Sequence, residues 1–422
     1  MKTFKFSTLA AAVVAASAAS ITTAQAEGFI EDSTGNLSIR NYYFNENGKN
    51  GNDFDRREWV QGFRFDFVSG YLFDTIGFDY SAGAAFKLDA PGKNFTNLPK
   101  DKGSNNDVND IGGTTQAYVK AKFGDENLGL NAKHGLMQLG TATFGTSGSR
   151  ILPSSVFATY LEGNVSGLKL YGARITKHSD RDSSNFADAL QSNGVNDNVD
   201  YVNIVGAAYE FENGLGFEVE AGKSDDFVEK RFAKAYYTID MGSDTSLLLD
   251  ARYGEAEEDG NKYDDTPNDR AESRYYNATA TLNVGAASTW VGYNRTYEGN
   301  WISEYYGQDY GTFNSSLSLW QDYSRKDEKA WVVGVGYDFS DAGIPGLTAK
   351  AWYARSNGID TVDAQVAHEG GSEFTQDLTY KFQTGALKDL SVQWQHTRLN
   401  SPKADNDEDS HRIKLIYDIA LF

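Results

Sequence analysis

The chain has 422 residues, no cysteine and only 6 prolines. An exported protein of this length without disulfides needs another means of stabilisation, such as a closed hydrogen-bonded sheet. After the first 26 residues there is no run of about twenty apolar residues, which excludes a transmembrane helix. The long apolar runs typical of the buried parallel strands in a large α/β enzyme are missing as well. The chain is therefore expected to consist of strands with a single apolar face.

Basic residues are also scarce. The chain carries 39 Lys and Arg against 59 Asp and Glu, a net charge of −20. Nucleic acid is excluded as a partner, because proteins that bind it present a basic surface. The segment 255–269 contains seven acidic residues and one lysine. This segment is either a solvated loop or a site where divalent cations bridge the protein to lipopolysaccharide.

Catalytic signatures are absent from the sequence. It contains no Gly-x-Ser-x-Gly elbow, phosphate-binding loop or dinucleotide fingerprint. None of the five histidines has the local spacing of a metal-binding site; they are His134, His178, His368, His396 and His411. We expect no cofactor, no metal and no enzymatic activity. An outer-membrane barrel enzyme is an alternative, which an acid, a histidine and a Ser or Thr clustered near the rim would favour.

The N-terminus has the layout of a secretory signal. Lys2 and Lys5 precede an apolar stretch from Leu9 to Ile21, and the small-x-small motif 24–26 follows. The apolar stretch is too short to span a bilayer, so a cleaved signal is favoured over an uncleaved anchor. We predict a signal peptide at residues 1–26 and one domain at residues 27–422, with a mature net charge of −22.

Period-two alternation recurs from Leu37 to the C-terminus, and glycine (42), tyrosine (25) and phenylalanine (25) are abundant. Each alternating run is about ten residues long, enough for a tilted strand to cross a bilayer. We count about eighteen runs, which start near residues 36, 56, 73, 114, 127, 154, 166, 200, 215, 230, 244, 272, 287, 328, 346, 372, 387 and 410. Short connections alternate with long ones. The sequence predicts an all-β, transmembrane antiparallel β-barrel with short periplasmic turns and long external loops.

The final run, from Ile413 to Leu421, has one apolar face and is followed by the aromatic terminal residue Phe422. Such a terminal strand is what barrel-assembly machinery recognises, although here the apolar face ends one residue before Phe422. The lipid bilayer and this machinery are therefore expected partners.

Alternation also assigns the residues of the barrel interior. The apolar face must meet lipid, so the interleaved residues point into the lumen. The basic ones are Arg40, Arg64, Lys87, Lys120, Lys122, Lys133, Arg252, Lys350, Arg412 and Lys414. The acids on the same wall are Asp66, Asp79, Glu218, Glu220, Asp250, Asp338 and Asp418. The cations either pair with these acids or form successive weak sites for anionic solutes. We favour the second interpretation, because barrel closure makes the strands of Arg40, Arg412 and Lys414 neighbours.

Two long connections are candidates for narrowing the pore. The segment 147–153, in the third external loop, contains Arg150. The segment 297–328 is rich in Trp and Tyr and contains Asp322. Each either folds inward or caps the barrel from outside.

At these positions the chain resembles the OprD family of substrate-specific outer-membrane porins. Segments distributed over the whole mature chain carry the resemblance, and they are residues 26–33, 40–45, 61–63, 69–71, 149–153, 328–331, 337–339 and 343–348. The sequence Leu72-Phe73-Asp74-Thr75 departs from the family, where a more glycine-rich turn is expected.

The resemblance implies an eighteen-stranded monomeric barrel and a constriction shaped by the third and seventh external loops. A trimer is the alternative to the monomer. It also implies a basic ladder that guides carboxylate-bearing solutes such as amino acids and organic acids. Arg150 matches the arginine of the constriction loop, Arg40 and Arg412 resemble ladder members, and Asp322 is assigned as the opposing acid. A chitoporin-like branch, which passes chitooligosaccharides along aromatic surfaces, is the alternative. An adhesion or structural barrel with a filled lumen is a further one.

Overall fold

The computed structural model describes residues 28–101, 103, 107–192, 197–263, 271–317, 320–403 and 407–422. The predicted signal peptide, residues 1–26, lies outside the described residues. Among the described helices, none has the length and apolar character required to span a membrane. Helical structure in the described ranges consists of residues 28–31 and a 3-10 helix at Gly385–Leu387.

Eighteen antiparallel strands form a sheet that closes on itself, because the first strand pairs with both the second and the last. In chain order they are β1 (Thr34–Lys49), β2 (Asp55–Val68), β3 (Ile76–Asp89), β4 (Ile111–Gly124), β5 (Leu128–Met137), β6 (Ser155–Val165), β7 (Leu168–Ser179), β8 (Val202–Glu210), β9 (Leu215–Ser224), β10 (Val228–Gly242), β11 (Thr245–Glu258), β12 (Glu272–Val284), β13 (Ala287–Tyr297), β14 (Lys329–Asp338), β15 (Leu347–Asn357), β16 (Ser372–Lys381), β17 (Ser391–Asn400) and β18 (Asp407–Ala420). The predicted fold class and strand number are confirmed.

Two local features differ from the sequence prediction. The strand predicted near residue 387 begins at Ser391, because a 3-10 helix occupies Gly385–Leu387. Two short strands, Asp188–Gln191 and Asn198–Val199, extend the sheet beside β7 within an external loop. They are too short to cross a bilayer and do not change the number of barrel strands.

The two faces of each strand differ as the alternation predicts. Outward-facing Val205 of β8 and Val335 of β14 are 63% and 55% exposed, and their inward neighbours Gly206 and Gly336 have no side chain. Aliphatic side chains are exposed in this way on many strands. A contiguous apolar surface of this extent is unfavourable in water and is typical of a face that meets hydrocarbon.

Aromatic side chains form a band on this outer face near the external ends of the strands. Tyr43 of β1 pairs with Trp59 of β2, and Tyr293 of β13 pairs with Trp331 of β14. The Trp331 ring in turn contacts Tyr353, with ring centroids 5.8 Å apart. We call this band the external girdle. Trp and Tyr favour the interface between lipid head groups and hydrocarbon, so the girdle marks the outer boundary of the membrane.

The turn that departs from the family pattern is formed without glycine. Phe73 and Asp74 adopt positive φ values of 54° and 55°. The backbone N–H of Thr75 donates to the carbonyl of Leu72 at 3.1 Å. Two consecutive residues in the left-handed region are the requirement of a tight hairpin turn, usually met by Asn or Gly. The turn is therefore retained with less favourable residues.

The external connections are mostly long, as predicted. The second spans residues 90–110, the third 138–154, the fourth 180–201 and the seventh 298–328. The first (50–54), the fifth (225–227) and the ninth (401–406) are short exceptions. The long loops supply the segments that enter the barrel.

Candidate functional site

Four predicted lumen cations lie close together on three adjacent strands, β18, β1 and β2. Strand register sets their order. Arg412 is opposite Phe44, and Lys414 is opposite Tyr42. Arg40 and Arg64 lie further towards the periplasmic end, Arg64 opposite Ser38 on β1. We call Arg412, Lys414, Arg40 and Arg64 the basic ladder.

The outermost ladder member, Arg412, is partly neutralised. Arg412 Nε donates to Glu46 Oε1 at 2.5 Å, and Arg56 Nη1 donates to Glu46 Oε2 at 2.5 Å. The Glu46 side chain is fully buried. The Arg412 guanidinium also lies over the Trp320 ring, 3.7 Å from its centroid. Because one carboxylate serves two guanidiniums, this cluster keeps one net positive charge.

Of the other three ladder members, one forms an ion pair and two form none among the described residues. Arg64 is paired, since its Nε lies 2.8 Å from Asp66 Oδ2. Arg40 donates to Ser38 Oγ at 3.2 Å. Lys414 Nζ lies 5.4 Å from the centroid of the Tyr42 ring. Among the described residues, neither Arg40 nor Lys414 forms an ion pair, so the middle of the ladder keeps two cations available to a solute.

The third loop enters the barrel and is anchored on β9. The Glu220 carboxylate, which is buried, accepts hydrogen bonds from the backbone N–H groups of Ala142 at 2.8 Å and Thr143 at 2.7 Å. It also accepts from the hydroxyls of Thr141, Thr143 and Tyr171. The sequence predicts Glu220 as a lumen-facing acid. In the structure its carboxylate anchors the third loop to β9.

The far end of the third loop packs against the opposite wall. A Cβ atom added to Gly62 of β2 would lie 2.6 Å from Ile151 Cγ1, and one added to Gly83 of β3 would lie 2.6 Å from Leu152 Cδ2. Both glycines face inward. Their missing side chains create the space that Ile151 and Leu152 occupy, so the third loop crosses the interior from β9 to β2 and β3.

This crossing brings Arg150 to the upper end of the basic ladder. Its guanidinium lies 5.8 Å from the centroid of the Phe44 ring, and the Arg412 guanidinium lies 4.6 Å from the same centroid. Arg150 Nε donates to Thr96 Oγ1 at 2.9 Å. Burial, with help from the charges of Arg412 and Arg181, lowers the pKa of Arg150 from 12.5 to about 9. Arg150 therefore remains protonated at neutral pH.

A further cation, Arg181 of the fourth loop, lies beside Arg150. Its guanidinium donates to Ser147 Oγ at 3.0 Å and to Thr96 Oγ1 at 3.2 Å. It also lies 4.2 Å from the centroid of the Tyr310 ring. Arg150 and Arg181 thus share the hydroxyl of Thr96, and within the described residues neither forms an ion pair. Arg181 could not be predicted as a site residue, because nothing in the sequence indicates that the fourth loop folds inward.

The seventh loop enters the barrel as well and contacts the third. Tyr305 OH lies 2.7 Å from Thr143 Oγ1, and Asn314 Nδ2 donates to the carbonyl of Ala142 at 2.8 Å. The Tyr305 ring occupies the space above Gly222 of β9, where an added Cβ would lie 1.9 Å from its hydroxyl oxygen. Both loops that were predicted as candidates for narrowing the pore therefore fold inward and support each other.

The aromatic residue of the seventh loop that reaches the ladder is Trp320. The backbone N–H groups of Trp320 and Gln321 donate to the buried Glu373 carboxylate of β16, each at 2.9 Å. Asp322 is exposed. Among the described contacts, none joins Asp322 to the ladder, so its assignment as the opposing acid stays a prediction.

Most of the other seventh-loop aromatics are enclosed by protein. Tyr305, Tyr306 and Tyr323 are fully buried, and Trp301 is 9% exposed. Trp301 Nε1 donates to the carbonyl of Thr312 within the same loop. These rings stabilise the folded loop and present little surface to the pore.

Lys350, also predicted as a site residue, lies away from the ladder. It faces the lumen from β15, opposite Asp377 of β16, and is exposed. Several other inward cations are paired with acids: Lys120 with Asp79 at 2.6 Å, Arg252 with Asp250 at 2.7 Å and Lys87 with Asp107 at 2.5 Å. For these three residues the structure supports the ion-pairing interpretation.

Two histidines in the described parts of the chain lie within hydrogen-bond distance of polar groups of the kind that an enzyme would use. His178 is buried, with Nε2 3.0 Å from Asp180 Oδ1 and Nδ1 2.9 Å from the Tyr306 hydroxyl. Both ring nitrogens are engaged in loop packing. His134 Nδ1 lies 2.9 Å from Thr159 Oγ1, on the outer face. Neither arrangement combines an acid, a histidine and a Ser or Thr at the lumen.

Comparison with known proteins agrees with this architecture. The profile of the family described as "outer membrane porin, OprD family" matches residues 27–421. The chain belongs to the OprD family. Porins of this family lie in the outer membrane of Gram-negative bacteria and pass small solutes, and the closed barrel with inward loops agrees with a channel.

Relatives of this porin are similar over most of their length. Porin D of Pseudomonas aeruginosa is 27% identical over 457 residues, covering 100% of both chains. Chitoporin of Escherichia coli is 24% identical over 404 residues, covering 84% of this chain and 81% of the relative. The crystal structure of Pseudomonas aeruginosa OpdO gives a TM-score of 0.79 at 26% identity, covering 94% of this chain and 100% of that chain.

Proposed function

We propose that this porin passes small carboxylate-bearing solutes, such as amino acids and organic acids, by passive diffusion along the basic ladder. The observation that carries the proposal is the position of Arg150. Its guanidinium and that of Arg412 contact the same Phe44 ring, so the constriction loop and the barrel wall present cations at one level of the pore.

The arrangement suits transport because each cationic site is weak. A wet lumen screens each contact, and one unit charge about 4 Å from another in water contributes about 1 kcal/mol. A carboxylate can therefore move from Arg150 to Lys414 and then to Arg40 without being trapped, as conduction through several sites requires. Glu46 prevents Arg412 from binding an anion too tightly by neutralising part of its charge.

The proposal is tested with purified protein in liposomes, by comparing swelling rates in glutamate, arginine and an uncharged sugar of matched size. We expect glutamate to enter fastest. Equal rates for all three solutes would contradict carboxylate selectivity and leave a general porin.

Arg150→Ala tests the constriction. The loss of one contact of about 1 kcal/mol corresponds to about fivefold slower glutamate uptake, with sugar uptake unchanged or faster. Arg57→Ala is the matched control, because Arg57 lies on the outer face of β2 and pairs with Asp55 at 2.9 Å. Unaltered glutamate uptake in Arg150→Ala would remove Arg150 from the solute pathway.

A sugar-specific pore is the second candidate, because Escherichia coli chitoporin is a relative. Stacking on sugar rings needs exposed aromatic faces. Burial of Trp301, Tyr305, Tyr306 and Tyr323 reduces the support for it. Faster swelling with a chitooligosaccharide than with glutamate would favour this candidate.

We also propose that the protein acts as a monomer and contacts lipopolysaccharide through an acidic region made of the external end of β11 and the sixth external loop, residues 259–271. Three of the acids there, Asp264, Asp265 and Asp269, lie outside the described residues. Of the others, Glu255 lies 3.6 Å from Arg231, and Asp259 lies 2.8 Å from Lys223. The pairing of β18 with β1 closes the barrel. We propose that barrel-assembly machinery recognises this C-terminal strand.

A further inference from the structure

Two histidines that are far apart in the sequence meet on the outer face of the barrel. His396 of β17 and His411 of β18 are direct partners in the strand register. Their rings stack with centroids 4.4 Å apart. Asp409 precedes His411 by two residues on β18 and therefore shares its outward face. This cluster of His396, Asp409 and His411 takes no part in the solute pathway, which lies on the opposite face of the same strands.

The three side chains offer ligand atoms at distances that suit a metal ion. Asp409 Oδ1 lies 3.2 Å from His396 Nε2 and 3.5 Å from His411 Nε2. In a tetrahedral zinc site with bonds of about 2.0–2.2 Å, neighbouring ligand atoms are about 3.3–3.6 Å apart. All three ligand atoms lie within 4.8 Å of one another. The two distances from Asp409 Oδ1 to the histidine nitrogens already match this spacing. The distance between the two histidine nitrogens would match it after a side-chain movement of about 1 Å or a little more.

The surroundings of His396 also resemble those of a metal ligand. Its other ring nitrogen, Nδ1, lies 3.4 Å from the Gln376 side-chain oxygen. Histidines that bind metal usually donate their second N–H to an acceptor of this kind, which fixes the ring orientation. Arg398 competes for the same carboxylate, because its Nε lies 3.6 Å from Asp409 Oδ2. That contact uses the second carboxylate oxygen and leaves Oδ1 to the histidines.

The cluster is accessible from outside the cell. The Trp394 ring stacks on His396, with centroids 6.1 Å apart, and Trp394 is opposite Ile413 in the register. Ile413 is in turn opposite Tyr43 of the external girdle. The cluster therefore lies just external to the girdle, at the level of the lipid head groups. The His411 side chain is 42% exposed, which leaves space for an ion and for water.

We propose that His396, Asp409 and His411 bind one divalent transition-metal ion of the Zn²⁺ class on the outer face of the barrel. Two imidazoles and one carboxylate favour Zn²⁺, Ni²⁺ or Cu²⁺ over Mg²⁺ and Ca²⁺, which prefer oxygen ligands. Three protein ligands leave a fourth position for water. The ion joins β17 to β18, the strand that closes the barrel against β1.

The test uses the full mature protein without a polyhistidine tag, purified in detergent. Equilibrium dialysis against Zn²⁺ and the visible spectrum of bound Co²⁺ measure stoichiometry and coordination. We expect one saturable site per barrel, with the spectrum of a tetrahedral Co²⁺ ion. His411→Ala and Asp409→Asn should each weaken binding at least tenfold.

His134→Ala is the matched control, because His134 is a lone outward-facing histidine on β5 and should not affect binding. Gln376→Leu leaves the three ligands intact and should weaken binding roughly 10- to 100-fold. Heat-dependent gel mobility checks that each variant forms a closed barrel. Absence of a saturable site in the wild type, or equal binding by His411→Ala and His134→Ala, would overturn the proposal.

Discussion

The anchoring of the third loop on Glu220 leads to a sharp prediction about the pore. Replacing Glu220 by alanine removes the acceptor of five hydrogen bonds, two of them from the backbone of the third loop. The three hydroxyl donors can rotate towards other acceptors. The N–H groups of Ala142 and Thr143 are fixed by the loop backbone and would be left buried without a partner.

The size of the effect follows from these two donors. A hydrogen bond to a charged acceptor contributes about 1.5–3 kcal/mol, so two such bonds contribute about 3–6 kcal/mol to docking of the loop. Since 1.4 kcal/mol corresponds to a factor of ten, the ratio of docked to undocked loop should fall by about two to four orders of magnitude. The contacts of the seventh loop with Thr143 and Ala142 remain. We therefore expect intermittent undocking while the barrel stays folded.

Single-channel recording in planar bilayers measures this directly. Glu220→Ala should show frequent steps to a higher conductance, and its liposomes should admit larger sugars than the wild type. The matched control is Glu218→Ala. Glu218 faces the lumen from the same strand, and the hydrogen bond described for it is a 3.3 Å contact with the Tyr171 hydroxyl. If Glu220→Ala and Glu218→Ala gave the same traces, other contacts would hold the third loop, and its anchoring by Glu220 would be refuted.

Three further predictions concern charge inside the barrel. Glu46→Gln should release the charge of Arg412 and raise the anion preference measured as the reversal potential in a KCl gradient, whereas Arg412→Gln should lower it. Arg181→Ala should slow glutamate uptake by about the same fivefold factor as loss of Arg150, because both cations contribute a contact of about 1 kcal/mol. Liposome swelling measures this, and the swelling rate in the uncharged sugar should stay unchanged. Burial raises the pKa of Asp309 in the seventh loop from 3.8 to about 6, so its contribution to loop docking is full below about pH 4 and is lost as the pH rises through 6. Recordings at pH 4.5 and 7 should show fewer loop fluctuations at the lower pH, and Asp309→Asn should reduce that difference.

The barrel itself could be predicted because its signal is local and repeated. A strand that faces lipid on one side and water on the other must alternate, so each run such as Ile76 to Leu88 carries its own evidence. Closure of the sheet into a barrel is then expected from the large number of strands and from the amphipathic strand at the C-terminus. The same parity placed Arg40, Arg412 and Lys414 on the inner wall, and their proximity followed from the pairing of β1 with β18.

The constriction could be predicted only in outline, because loop docking depends on contacts between distant segments. Gly62 and Gly83 give space to Ile151 and Leu152, but in the sequence they are two of 42 glycines. The anchors Glu220 and Glu373 look like any other lumen acid. The charge of Asp322 predicts that it is the seventh-loop residue facing the ladder, whereas the described contact with the ladder comes from Trp320, two residues earlier. The positions of Arg181 and of the His396–His411 pair likewise depend on three-dimensional neighbours.

Ion pairs inside the barrel determine how much a lumen lined with Arg and Lys can favour anionic solutes. Counting inward Arg and Lys residues overstates the positive field, because Lys87, Lys120 and Arg252 are compensated by adjacent acids. The cations without an ion pair among the described residues include Arg150, Arg181, Lys414 and Arg40, and all four lie along one side of the pore or on the loops that face it. An anionic solute on the proposed pathway should therefore meet its strongest attraction beside Arg150 and Arg181, the cations that the third and fourth loops place without an ion pair among the described residues. Selectivity in this porin should accordingly depend on a few unpaired cations near the constriction, and neutralising a paired cation such as Arg252 should alter it much less than neutralising Arg150.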